Sequence, residues 1–172
     1  MKKRVVVLWL LISIFLLNSC SFYGNKKIIV DDSENRADKK IEQLIEVIKN
    51  EDKDELESMF SEKALNETEG FEDSIDYLFD YIQGNIEGWE RFRFSGNTSV
   101  DNGKKSESLV SWYTVQTDQE SYMFFIIDFT IDTINPDNEG LYTLRVIKAK
   151  DEDKEFGYVE DMKIPGIYIP KE

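Results

Sequence analysis

The chain has no histidine and a single cysteine, Cys20, among its 172 residues. The first absence excludes a Ser-His-Asp or Cys-His apparatus and every histidine-ligated zinc or iron site. Any catalysis would have to run on carboxylates, tyrosine, lysine or a hard metal. A lone thiol makes no internal disulfide, so the fold must rest on packing. Beyond Cys20 no apolar run approaches the roughly 20 residues that a membrane-crossing helix needs. Positive charge is scarce as well, with 21 basic against 35 acidic residues and a net charge of −14. That balance argues against nucleic acid and against electrostatic attachment to anionic lipid. Internal repeats and low-complexity tracts are also missing.

What is present begins with Met1-Lys2-Lys3-Arg4, a basic start, followed by the uncharged run Val5 to Leu17. The run is too short to span a bilayer and suits the apolar region of a signal peptide. It ends in Leu16-Leu17-Asn18-Ser19-Cys20, which resembles the bacterial lipobox, with Leu at −3, a small Ser at −1 and the obligatory Cys. The resemblance implies a diacylglyceryl group on Cys20, with cleavage leaving it as the acylated first residue. Residues 1–19 are then a lipoprotein signal peptide, and residues 20–36 the lipidated cysteine and a polar tether broken only by Ile28-Ile29-Val30. Without residues 1–19 the chain has 153 residues, with 18 basic and 35 acidic side chains, a net −17. One α+β domain over residues 37–170 fits that length.

Three amphipathic stripes open this domain. Ala37, Ile41, Leu44, Ile45 and Ile48 fall on one helical face, with the charged residues between them on the other. Asp52 is placed to cap a second helix bearing Leu56, Met59, Phe60 and Leu65. Phe71, Ile75, Leu78, Phe79 and Ile82 make a third, ended by Gly84. The period then changes to two. Strands are expected over Ser108–Thr117, over Ser121–Thr133 and over Leu141–Ala149, with short ones around Trp89–Phe94 and Gly157–Val159. Turns are expected at Asp101-Asn102-Gly103, Asp118-Gln119-Glu120 and Asn135–Gly140. In Ser121–Thr133 the odd positions Met123, Phe125, Ile127, Phe129 and Ile131 are wholly apolar, so they are expected to face the core, which turns Asp128 towards the opposite face.

Helices first and an antiparallel meander after predict an α+β fold, three helices packed on a curled sheet of four to five strands. The order resembles the cone-shaped fold of nuclear transport factor 2 and ketosteroid isomerase, a cystatin-like arrangement. More narrowly, the lipobox, Met59-Phe60-Ser61, Trp89-Glu90-Arg91-Phe92 and Pro165-Gly166-Ile167-Tyr168-Ile169-Pro170 resemble a family of small Gram-positive lipoproteins that carry a domain of unknown function. The resemblance covers roughly residues 35–170 and brings no activity with it. No motif aligns with the catalytic residues of ketosteroid isomerase.

Few residues propose chemistry. Asn135-x-Asp137-x-Glu139-Gly140 opens like a calcium loop, but its twelfth position is Val146, so a polar hairpin turn is the better reading. Asp128 lies between Ile127 and Phe129 and is the candidate catalytic carboxylate, weighed against a structural or solvent-facing role. Trp89, Trp112, Tyr113, Tyr122 and Phe124 are candidates to line a ligand pocket, weighed against simple core packing. No cofactor and no metal is expected. The leading expectation is a lipid-anchored extracytoplasmic domain, held to the membrane through Cys20, that binds a protein, a peptide or a small apolar ligand. A histidine-free enzyme with Asp128 as base, and an immunity-type or structural surface protein, are the alternatives.

Overall fold

The computed structural model describes residues 32–171. The signal peptide, Cys20 and most of the tether therefore lie outside the described residues. Helix α1 spans Ser33–Asn50, four residues earlier than the apolar stripe alone suggests. Its buried side is Ala37, Ile41, Leu44, Ile45, Val47 and Ile48. It stops where Glu51 takes a left-handed conformation and the amides of Glu51 and Asp52 return to the carbonyls of Ile48 and Val47, closing the helix end. Asp52 then caps α2 (Lys53–Ser58), its Oδ1 accepting from the Glu55 amide at 3.0 Å. Ser61 does the same for α3 (Glu62–Glu67) through the Ala64 amide.

The second stripe is thus two helices rather than one. Between them the chain leaves the helix to join the sheet. Met59 O accepts from the Leu141 amide, and the Ser61 amide donates to Leu141 O, both at 2.9 Å. Phe60 packs edge-on against Phe71, with ring centroids 4.9 Å apart. Gly140 is what permits this approach. Its φ is +118°, and a Cβ there would lie 3.0 Å from the Ser61 amide nitrogen. Helix α4 (Phe71–Tyr81) completes the layer, burying Phe71, Ile75, Leu78 and Tyr81 and ending before Gly84.

Five strands form one sheet in sequence order: β1 (Ile86–Asp101), β2 (Lys104–Thr117), β3 (Ser121–Asp132), β4 (Gly140–Lys148) and β5 (Gly166–Tyr168). The first four are antiparallel and β5 is parallel to β4. The expected turns separate them. Asn102 and Gly103, both at positive φ, make the β1–β2 turn, as a two-residue hairpin requires. The hairpin is longer than expected, because residues 95–108 alternate little between polar and apolar. Most of that stretch is exposed, so backbone pairing defines it. The expected strand at Gly157–Val159 is absent. The segment instead runs through a 3-10 turn (Ala149–Asp151), α5 (Glu152–Glu155) and α6 (Val159–Met162) before β5. Gly157 separates α5 from α6 and Pro165 precedes β5, and the segment crosses the sheet face instead of extending the sheet.

Strands β3 and β4 are buried on both faces, and the main core is on the side opposite to that expected. Tyr122, Phe124 and Ile126, the even positions of β3, pack with Tyr113, Val115, Leu144 and Val146 under the helices. The odd positions Phe125 and Ile127 form a smaller cluster with Trp112 and Met162, beneath the C-terminal crossing segment. A strand apolar on both faces at its start cannot report by parity which face the helices will take.

Candidate functional site

The face choice decides the position of Asp128. It lies on the helix-facing side of β3, 5 % exposed, whereas alternation with an apolar odd face predicts a side chain in solvent. Above it passes the first half of α1, which carries Arg36, Lys39 and Lys40. Those spacings put the three cations along one flank of the helix. Arg36 reaches across to Glu107 on β2 and to Thr130 Oγ1 at 3.2 Å. Glu107 also accepts from Lys105 Nζ at 2.6 Å and from Thr130 at 3.1 Å. Burial alone would raise the Glu107 carboxyl, but the hydrogen bonds from Lys105, Arg36 and Thr130 outweigh it and hold the group below the ordinary carboxylate range. On the other flank of α1, Asp38 Oδ1 accepts from Arg91 at 2.7 Å and from the Tyr113 hydroxyl at 3.2 Å. Burial is the main reason that hydroxyl is pushed upward.

Asp128 differs from these neighbours. Lys40 Nζ stands 3.4 Å from its Oδ1, and that oxygen accepts no hydrogen bond from the described residues. Burial raises the Asp128 carboxyl above the ordinary range, with Lys40 opposing and Arg36 adding a smaller pull. A buried carboxylate with an unfilled acceptor is costly, and each one in a folded protein needs an explanation.

Asp128 also lines a cleft of about 310 Å³, together with Arg36, Lys39, Lys40, Thr130 and Glu139. Lys39 and Glu139 are exposed at its rim, and Lys40 is half-buried. The cleft lining therefore carries three cations against two carboxylates on a chain of net charge −14. Arg36 is paired with Glu107 and Lys40 with Asp128, so the lining is close to charge-balanced.

The five aromatic candidates do not converge on one cavity. Tyr113, Tyr122 and Phe124 are wholly buried in the helix-side core, and Trp89 packs against it, with its ring 5.4 Å from that of Tyr113. Trp112 lies on the other face against Phe125, under the Arg93 guanidinium. A larger cleft of about 640 Å³, between the start of α4 and β5, is lined by Glu69, Asp73, Tyr77 and Tyr168 among others. None of the five lines either cleft. The loop that opens like a calcium site folds as a 3-10 turn at Pro136–Asn138. Asp132 ties it down, accepting from the amides of Ile134 and Asn135 and from Asn138 Nδ2.

Sequence reasoning marks Asp128 but misses Arg36, Lys39 and Lys40. Composition places Arg36 in the tether, and helical periodicity gives the two lysines to a solvated face. Their i, i+3, i+4 spacing is a visible signal. What stands opposite them is not.

A family model described as a domain of unknown function (DUF5104) matches residues 43–149, more than half of the chain. It takes in Asp128, Thr130 and Glu139, and begins after the three cations of α1. No curated protein matches the chain.

Proposed function

The chain belongs to the DUF5104 family, and from that premise we propose that it is a lipid-anchored extracytoplasmic binding domain whose ligand site is the Asp128 cleft. The observation that carries the binding half is a surface cleft lined by Asp128, Arg36, Lys39, Lys40 and Glu139, beside an interior filled by Tyr113, Tyr122 and Phe124. A filled interior leaves recognition to the surface. The anchoring half rests on Leu16-Leu17-Asn18-Ser19-Cys20. Among the described residues no helix is long and apolar enough to cross a membrane. The likeness to the nuclear transport factor 2 cone, and to small Gram-positive lipoproteins, belongs to this same reading. Its support is a layer of N-terminal helices on one face of an open sheet.

A second reading takes Asp128 as a general base, favoured by the burial that raises its carboxyl. Two measurements separate these readings. Labelled palmitate should enter the full chain and be lost in Cys20→Ala; a variant that keeps the label overturns the anchor. In a panel of small polar compounds, a ligand should raise the melting midpoint of the full chain by mass action and be recovered unchanged. Consumption of a compound, abolished in Asp128→Asn, would establish the enzyme instead.

A further inference from the structure

We infer that the tether segment Ile28-Ile29-Val30 docks on its own domain, adding to the free edge of β1 as a further strand beside residues 97–100. Strands β1 and β5 end the sheet, so each has one side without a partner strand among the described residues. An unpaired edge is a template for another strand unless charge, proline, a bulge or shortness guards it. β5 is guarded, being three residues long with Pro165 before it and Pro170 shortly after. The first half of β1 is guarded by bulges at Ile86–Gly88 and Arg91–Arg93 and by the charges of Glu87, Glu90, Arg91 and Arg93. Its second half is bare. Ser95-Gly96-Asn97-Thr98-Ser99-Val100 has no charge, no proline and no bulge, and Val100 is 68 % exposed.

The chain itself delivers an occupant to that edge. Helix α1 begins at Gly96: Ser33 is buried, and its Oγ lies 3.7 Å from where a Cβ on Gly96 would be. Arg91 on β1 holds Glu34 at 2.6 Å, and Arg36 holds Glu107 on β2, so both strands pin the entry. From there α1 runs back along the sheet to Ile48 and Lys49, which share a cleft with Ile86 at the other end of β1. The helix is therefore antiparallel to β1, and the direction upstream of Ser33 is from Gly96 towards Val100. Ile28 precedes Asp32 by four residues and Val100 follows Gly96 by four, in each case about 13 Å of extended chain. Ile28, Ile29 and Val30 are all β-branched, the type that favours strands. Joined covalently to the edge at Ser33, the triplet meets it at an effective concentration of about millimolar, which favours it over a second copy of the chain. Docking leaves residues 21–27 to reach an acylated Cys20, about 23 Å at full extension, and turns the tip of the β1–β2 hairpin towards the bilayer. That orientation rests on the anchored reading; the docking does not.

Amide hydrogen exchange, read by NMR on the full chain in detergent micelles, tests the docking. Alternate amides of β1 point away from β2. Within residues 97–100 these should exchange at least about tenfold more slowly in the parent chain than in the variant Ile28→Gly/Ile29→Gly/Val30→Gly, whose tether has lost its strand preference. The change lies outside the domain core, and equal exchange of β3 amides in the two chains checks that the fold is intact. Equal exchange at residues 97–100 in the two chains, whether fast or slow, would overturn the docking. Protection that rises with protein concentration would overturn it too, by giving the edge to a second copy. Palmitate incorporation measured on the same chains reads the anchor separately. A lost label with the protection kept would remove the orientation towards the bilayer and leave the docking standing.

Discussion

Each face of the sheet buries a charged side chain near its centre, and the two are treated differently. On the outer face Arg145 is 7 % exposed. Its Nη2 donates to Glu155 O at 2.6 Å and to Glu155 Oε2 at 3.0 Å, and its guanidinium lies 3.9 Å from the centre of the Tyr168 ring. Tyr168 in turn donates to Glu155 at 3.2 Å. Arg145 thereby ties the crossing segment and β5 to β4. On the inner face Asp128 is as deeply buried, yet its Oδ1 has only a long ion pair with Lys40 and no aligned hydrogen bond from the described residues. Burial alone does not mark a site. The first charge is held by its own chain on several sides, although its Nε finds no hydrogen-bond partner among the described residues, whereas the second has one long ion pair, to Lys40, and lines a cleft.

The largest effect should come from the packing that both faces share. Phe124→Ala removes a wholly buried ring from the helix-side core and should cost about 3–5 kcal/mol in chemical denaturation. A loss under about 1 kcal/mol would mean that the interior is looser than its packing implies.

Next comes the well-held charge. Arg145→Ala strands Glu155 and removes the stacking on Tyr168, and should destabilise by about 3 kcal/mol. It should also raise proteolysis within residues 149–165, the segment it pins. Intact protection there would break the structural reading of Arg145.

The unsaturated charge should respond in the opposite direction. The Asp128 carboxyl is raised on folding, so its ionisation costs stability. That cost is absent below the unfolded pKa of about 3.9, grows as pH climbs towards the folded value, and is constant above it. Asp128→Asn should therefore raise the melting midpoint at neutral pH and leave it nearly unchanged at strongly acid pH. Equal effects at both pH values, or destabilisation at neutral pH, would show that the Lys40 pair is worth more than the desolvation it offsets. Glu107 supplies the control of opposite sign. Its carboxyl is held down, so it contributes stability above its unfolded pKa that is lost as pH falls through the folded one. Glu107→Gln should destabilise at neutral pH and match the parent chain in acid.

The smallest effect belongs to a residue outside both faces. Asp52→Ala removes the α2 cap and should cost about 1 kcal/mol, with no change at the cleft.

Local chemistry makes much of this molecule legible in its residues. Apolar residues recurring at helical spacing locate α1 and α4. Asp52 announces its own cap, and Asn102-Gly103 its own hairpin turn, because each acts within a few residues of itself. Net charge and the missing histidines narrow the chemistry on composition alone.

Other features depend on contacts between distant parts of the chain. The break at Met59–Ser61 follows from hydrogen bonds to Leu141, some eighty positions further on. The crossing segment is held by Arg145, and β5 pairs in parallel with β4, where a meander would run antiparallel. Above all, β3 begins apolar on both faces, so its alternation cannot say which side the helices will cover. Tertiary packing makes that choice, and with it turns Asp128 from an outward carboxylate into the buried floor of a cleft beneath Lys40.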